Sequence, residues 1–271
     1  MLTFIIVKIS YFKKLWHDQK YVILWLTLFS FTFEFAFAWL LFEAKFSELF
    51  ESVVHMLPPS LVNFMGVNIG SAYYGAQMLA FGYSHPLILI SLSILPIGLS
   101  ARYITAEIEN KTMDLLMSRS IHRSVIPGHL FIFLLFALAV QTIALFAGTY
   151  SGYLFFDLKI DPIDYAKVAM MTFFFFLSMG SFSLAVSTFQ NERGKTIAKS
   201  VSIFVILYFY DTVIRLNQSL EYLTAYSYFN LYQPSKLLRG QLSIEKSILI
   251  LVAIIFVFLC IAIIRFNRRD L

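Results

Sequence analysis

Residues 106–123 read "AEIENKTMDLLMSRSIHR". Glu107, Glu109, Lys111, Asp114, Arg119, His122 and Arg123 crowd into this stretch, and long apolar blocks flank it on both sides. Of the 271 residues 59% are hydrophobic and only 14% charged, with a mean hydropathy of +0.76. Ordinary soluble domains carry roughly 25% charged residues. A globule with so few could not cover its apolar side chains with polar ones. The chain therefore reads as an integral membrane protein, and the polar stretch must lie outside the lipid.

Working outward from it, a bilayer-crossing helix needs about 20 mainly apolar residues. Six windows qualify: 21–42, 86–106, 126–155, 165–189, 197–216 and 247–264. The fold class is all-α with six transmembrane helices, and the third window is long enough to tilt or to project from the bilayer. Lys and Arg orient it. Lys8, Lys13, Lys14 and Lys20, then Arg102, Lys111, Arg119 and Arg123, then Arg193, Lys195 and Lys199, then Arg265, Arg268 and Arg269 all fall on one side. That is 4 + 4 + 3 + 3 = 14 of the 21 Lys and Arg. Both ends of the chain and the polar stretch are thus expected in the cytoplasm, with the protein multi-pass in the cell membrane. The net charge of +5 reflects this asymmetry and not a nucleic-acid patch.

Before the first window, residues 1–20 set Phe4, Ile5, Ile9, Phe12 and Trp16 near one helical face with lysines elsewhere, a pattern suited to a helix in the cytoplasmic interface. A long apolar window behind four lysines, without a small-residue cleavage site, is not expected to be a cleaved signal. Between the first two windows, residues 43–85 form an extracytoplasmic amphipathic or re-entrant segment. Phe46, Leu49, Phe50, Val53 and Val54 recur at helical spacing, and Pro58 and Pro59 break the helix.

Catalytic raw material is scarce. His17, His55, His85, His122 and His129 form no zinc-binding pair at helical spacing, and the single Cys260 excludes an internal disulfide and cysteine metal sites. Residues 192–196, "ERGKT", end like a phosphate-binding loop, but the first glycine of that motif would fall on Phe189 and a membrane helix precedes it. The chain is expected not to be an enzyme by itself. Two acids lie within apolar windows. Glu34 sits near the middle of the first, where an unpaired charge is costly, so it is either a substrate-path residue or a hydrogen-bonded structural one. Asp211 and Arg215 are spaced for an i,i+4 ion pair, and Asp211 is the second candidate for the path. Pro96 and Gly98 predict an irregular turn in the second span. Gly148 and Gly152, and Ser178, Ser181 and Ala185, permit close helix approach.

The polar stretch, extended to "AEIENKTMDLLMSRSIHRSVIPGHL", resembles the signature region of ABC-2-type permeases, the membrane subunits of one class of ATP-driven exporters. That family shows an acidic pair after the second span, then Thr, an acid, a Leu pair, Arg and Gly. Glu107, Glu109, Thr112, Asp114, Leu115, Leu116, Arg123 and Gly128 occupy those places, while Lys111, Ser120 and His129 stand where Gly, Pro and Lys are usual. "LPPSL" at 57–61, "FNLYQPSKLL" at 229–238 and "FNRRDL" at 266–271 extend the resemblance over the whole chain.

The resemblance implies a fold like that of type V ABC exporters, with residues 107–124 forming a cytoplasmic coupling helix that docks on an ATP-hydrolysing subunit. Glu107, Glu109, Lys111, Asp114, Arg119 and Arg123 offer charges for such a partner, and Met113, Leu116 and Met117 an apolar stripe. Two separate ATP-binding cassette subunits, which use ATP and Mg²⁺, would power two permease copies, as a homodimer or with a paralogue. The substrate path is implied at the interface between copies, along the first, second and fifth spans, for an amphipathic or lipophilic cargo such as a peptide, drug or lipid. Two other readings stay open: an ion-coupled secondary transporter, and a membrane factor for maturing an extracytoplasmic metalloenzyme.

Overall fold

The computed structural model describes residues 2–58, 62, 74–117, 123–156, 158 and 160–269. Among these no strand occurs. Helix α1 runs Leu2–Phe42, α2 Ala44–Met56, α3 Tyr74–Ser84 and α4 Pro86–Ser100. A π-helical turn, Ala101–Ala106, and a last turn, Glu107–Glu109, prolong α4. Then come the short α5 (Met113–Met117), α6 (Val125–Phe156), α7 (Pro162–Phe189), α8 (Arg193–Leu216), two 3₁₀ segments, α9 (Pro234–Leu238) and α10 (Ile244–Asn267).

Six described helices are long and apolar enough to cross a membrane: Tyr11–Phe42, Met78–Glu109, Val125–Phe156, Pro162–Phe189, Arg193–Leu216 and Ile244–Asn267. Each contains one of the six expected windows. α6, with 32 residues, is about 48 Å long at 1.5 Å per residue and so exceeds a hydrocarbon core of about 30 Å.

At the beginning of the chain, residues 2–20 are helical and run without a break into the first expected span, so that α1 extends from Leu2 to Phe42. No Gly or Pro occurs among residues 1–42 to interrupt it. Phe12 meets Phe133 edge-on at 5.2 Å, Trp16 meets Phe136 at 5.9 Å, and Leu15 is fully buried. Phe12 and Trp16 thus lie on α6.

α7 is the central helix. In its apolar window 78% of residues are buried, against 22% in α1, α8 and α10, and it packs on α4, α6 and α10. α1 lies along α6, where the two expected glycines bring them together. A Cβ on Gly148 would fall 2.6 Å from the Phe31 carbonyl oxygen, and one on Gly152 2.3 Å from the Ala38 Cβ. The irregularity expected from Pro96 appears as the π turn that begins five residues later. α2 occupies the expected place and ends ahead of Pro58; Pro59 and the rest of the expected second outer segment up to residue 73, apart from residue 62, lie outside the described residues.

The residues "FNLYQPSKLL" pack against the middle of α7. Phe175 is stacked between Tyr228 at 4.7 Å and Tyr232 at 4.6 Å. The Tyr232 hydroxyl donates to the Tyr83 carbonyl at 2.8 Å, so this segment ties α7 to the end of α3.

Candidate functional site

The polar stretch forms a corner between two spans. The turn Glu107–Glu109 stops at Asn110, and Lys111 takes the left-handed conformation with φ 56°. The Lys111 amide donates to the Ile108 carbonyl (3.0 Å) and the Thr112 amide to the Glu107 carbonyl (2.9 Å). This is the double bond pattern of a Schellman ending. The Thr112 hydroxyl closes it by donating to both the Glu107 carbonyl (3.1 Å) and the Glu107 carboxylate. Lys111 thus occupies the backbone position that glycine fills most cheaply, which gives a physical reason for the usual Gly there.

The charges of the corner are largely engaged within the chain. Glu107 faces Lys14 of α1 at 3.5 Å. A Glu109 oxygen accepts the Arg193 amide at 2.7 Å, placing a carboxylate on the first turn of α8, where the helix end favours negative charge. Arg123 donates to the Arg269 carbonyl at 2.6 Å. Arg269, itself buried, donates to the Thr188 and Gln190 carbonyls, each at 2.7 Å, to the Ser187 carbonyl at 3.5 Å and to the Asn191 side chain. It caps the last carbonyls of α7, which have no partner within the helix. Beside it the Thr105 and Thr196 hydroxyls are 2.8 Å apart, joining α4's π turn to α8.

What remains outward is narrower than the sequence suggests. Lys111, Asp114 and Leu115 are exposed, Leu115 at 70%. Met113 is 1% exposed and belongs to the core, and Met117 packs against that core. Of the expected apolar stripe, Met113 is therefore turned inward, and Leu115 lies outside. Arg119 and the Leu116 side chain lie outside the described residues.

Glu34 is fully buried. The Thr149 hydroxyl donates to its Oε1 at 3.4 Å, and Oε2 has no hydrogen-bond partner. A Cβ on Gly82 would lie 2.5 Å from that oxygen. Glu34 is thus enclosed by α1, α3 and α6 of its own chain, and it lines none of the described cavities. Asp211 does form the expected pair: Arg215 donates from Nε at 2.5 Å and from a terminal nitrogen at 2.9 Å, and the Ser227 hydroxyl also donates to Asp211. No group of three or more His, Cys, Asp and Glu gathers among the described residues.

Sequence reasoning missed Arg269 as a cap and Tyr232 as a tie. The tail "FNRRDL" and the segment "FNLYQPSKLL" marked both places, but nothing local announced their partners, which lie about 80 and 150 residues away. Residues 19–271 match the family described as ABC-2 family transporter protein. The chain belongs to the ABC-2 transporter family. No curated protein and no solved structure matches it significantly. As an ABC-2 permease it is a multi-pass membrane transport subunit of an ABC transporter, with six helices able to span. The corner at residues 107–117, the end of α7 and the start of α8 all belong to the matched region.

Proposed function

We propose that this permease is the membrane half of an ATP-driven exporter for an amphipathic or lipophilic substrate. Two copies work with two separate ATP-binding cassette subunits, which bind ATP and Mg²⁺ and dock on the corner at residues 107–117 from the cytoplasm. The family match carries this reading. Its support in the geometry is the exposed Lys111, Asp114 and Leu115 on a frame braced by Glu107, Glu109 and Arg269. A push on that corner passes directly to α1 through Lys14 and to α8 through Arg193. Substrate release outward, or into the outer leaflet, follows from rearrangement of the two copies.

The test is co-purification of the tagged chain in detergent, comparing wild type with Asp114→Arg combined with Leu115→Asp. Both side chains are exposed, so the variant should fold. The expected result is an ATPase subunit retained by the wild type and lost by the variant, together with ATP hydrolysis. A wild type that brings down no ATPase under conditions where it stays folded removes the energy source and overturns the reading.

A further inference from the structure

At the end of the bundle that carries Arg269, a groove that the reading above does not use lies between α7 and α8. Its volume is about 390 Å³, within the range of about 300–1,000 Å³ common for ligand pockets. Val186, Phe189 and Gln190 form one wall, and Lys199, Ser202 and Ile203 the other. α8 turns Ile197, Val201 and Phe204 toward the second span, where they line a separate cavity. The groove is therefore on the other flank of α8, away from the seam of the second and fifth spans. The last span borders it instead, because the Arg265 guanidinium of α10 covers the Phe189 ring at 5.3 Å.

The groove changes character along its length. Val186 precedes Gln190 on α7 and Ile203 follows Lys199 on α8 by four residues each, about 6 Å of helix. The apolar pair thus lies deeper in the bundle than the polar pair. Phe189 and Ile203 are 52% and 40% exposed, so the groove opens to the outside of a chain that lipid surrounds. At its shallow end the charge is uncompensated. Lys199 Nζ donates to the Gln190 side-chain oxygen at 2.9 Å, but an ammonium has three donors and a neutral amide cancels no charge. Neither Lys199 nor Arg265 forms an ion pair with a described residue. Glu192, the acid nearest in sequence to the groove, is taken by Lys195 at 2.5 Å. The Ser202 hydroxyl donates to no described residue and stays available on the groove wall.

We propose that this groove binds an anionic phospholipid of the leaflet at this end of the bundle. One acyl chain lies against Val186 and Ile203, the phosphate takes the remaining donors of Lys199, and Ser202 donates to an ester oxygen. Arg265, held on the Phe189 ring, adds positive potential without touching the lipid. Lysine suits the place because its long apolar stem lies along the wall while its charge reaches head-group level. The chemistry that selects the lipid is an apolar trough ending at two uncompensated cations. The site stands independently of whether an ATPase docks on the corner at residues 107–117.

The test uses the full chain purified in detergent, with native mass spectrometry to count bound lipid. The probes are phosphatidylglycerol and phosphatidylcholine of identical chains. Wild type should prefer phosphatidylglycerol by about tenfold, the scale of one charge-assisted contact. Lys199→Gln should abolish most of that preference and Arg265→Gln part of it. Arg268 is exposed and does not line the groove, so Arg268→Gln removes the same charge nearby and should leave the preference intact. Ala198 is exposed and lines the groove. Ala198→Trp should therefore fill it and weaken both lipids, with an unchanged melting temperature. Equal binding of the two probes in wild type overturns the proposal. So does a preference that survives Lys199→Gln, one that Arg268→Gln abolishes as fully, or binding indifferent to Ala198→Trp in a protein that melts normally.

Discussion

The Arg269 guanidinium, near the end of the chain, donates to the carbonyl of Thr188 at 2.7 Å, at the end of the central helix. One buried cation thereby satisfies carbonyls that α7 cannot satisfy itself, while its own carbonyl receives Arg123. The last span, the central span and the loop before α6 are held at a single residue. Hydrogen bonds that involve a charged group contribute about 1.5–3 kcal/mol each, though not additively. Arg269→Ala should lower stability by about 3 kcal/mol. Arg269→Lys should recover less than half of that, because an ammonium cannot present the planar fork that reaches several oxygens at once. Thermal unfolding of the detergent-solubilised chain checks the order wild type, Lys, Ala.

Lys111 at φ 56° pays the left-handed penalty of about 1–2 kcal/mol that a side chain incurs and glycine avoids. Lys111→Gly should therefore raise stability by up to about 1 kcal/mol, and Lys111→Val should lower it, since a β-branched residue fits this region worst. A lower melting temperature for Lys111→Gly would count against the Schellman ending at this corner.

Gly82 and Glu34 are matched in space. Gly82→Ala would press its Cβ to 2.5 Å from Glu34 Oε2 and should cost about 1–3 kcal/mol through overpacking. The obstacle is a side chain, so Glu34→Ala should relieve it, and the double variant should be more stable than the sum of the single effects predicts. Gly148→Ala meets the Phe31 backbone at 2.6 Å instead. No side-chain truncation can relieve that contact, and the same cycle with Glu34→Ala should show little or no rescue. Melting temperatures of the five variants decide between these outcomes.

Asp211 and Arg215 are mostly buried, with side-chain exposures of 10% and 16%. Removing one partner strands the other, so Asp211→Asn should destabilise by about 3 kcal/mol, whereas Asp211→Asn with Arg215→Gln should cost less than either change alone. The asymmetry is measured by the same unfolding assay. A purely solvated pair would show changes below about 1 kcal/mol throughout.

The number of spans, their approximate limits, the polar corner after the second one and the Asp211–Arg215 pair were all legible in the sequence. Each depends on the length and periodicity of apolar runs or on spacing within one helix, and a lipid solvent permits little else but helices for such a chain. Family membership was legible too, from the order of short segments between residues 57 and 271. The tertiary structure decided the rest. It bound Glu107, Glu109 and Arg123 into the chain, turned Met113 inward, enclosed Glu34 behind Gly82, and made Arg269 a cap and not merely a charge that orients the topology. The reason is physical: a buried polar group takes whichever donor or acceptor the packing delivers, and here those partners lie about 80 to 150 residues apart along the chain. Local spacing holds no record of them.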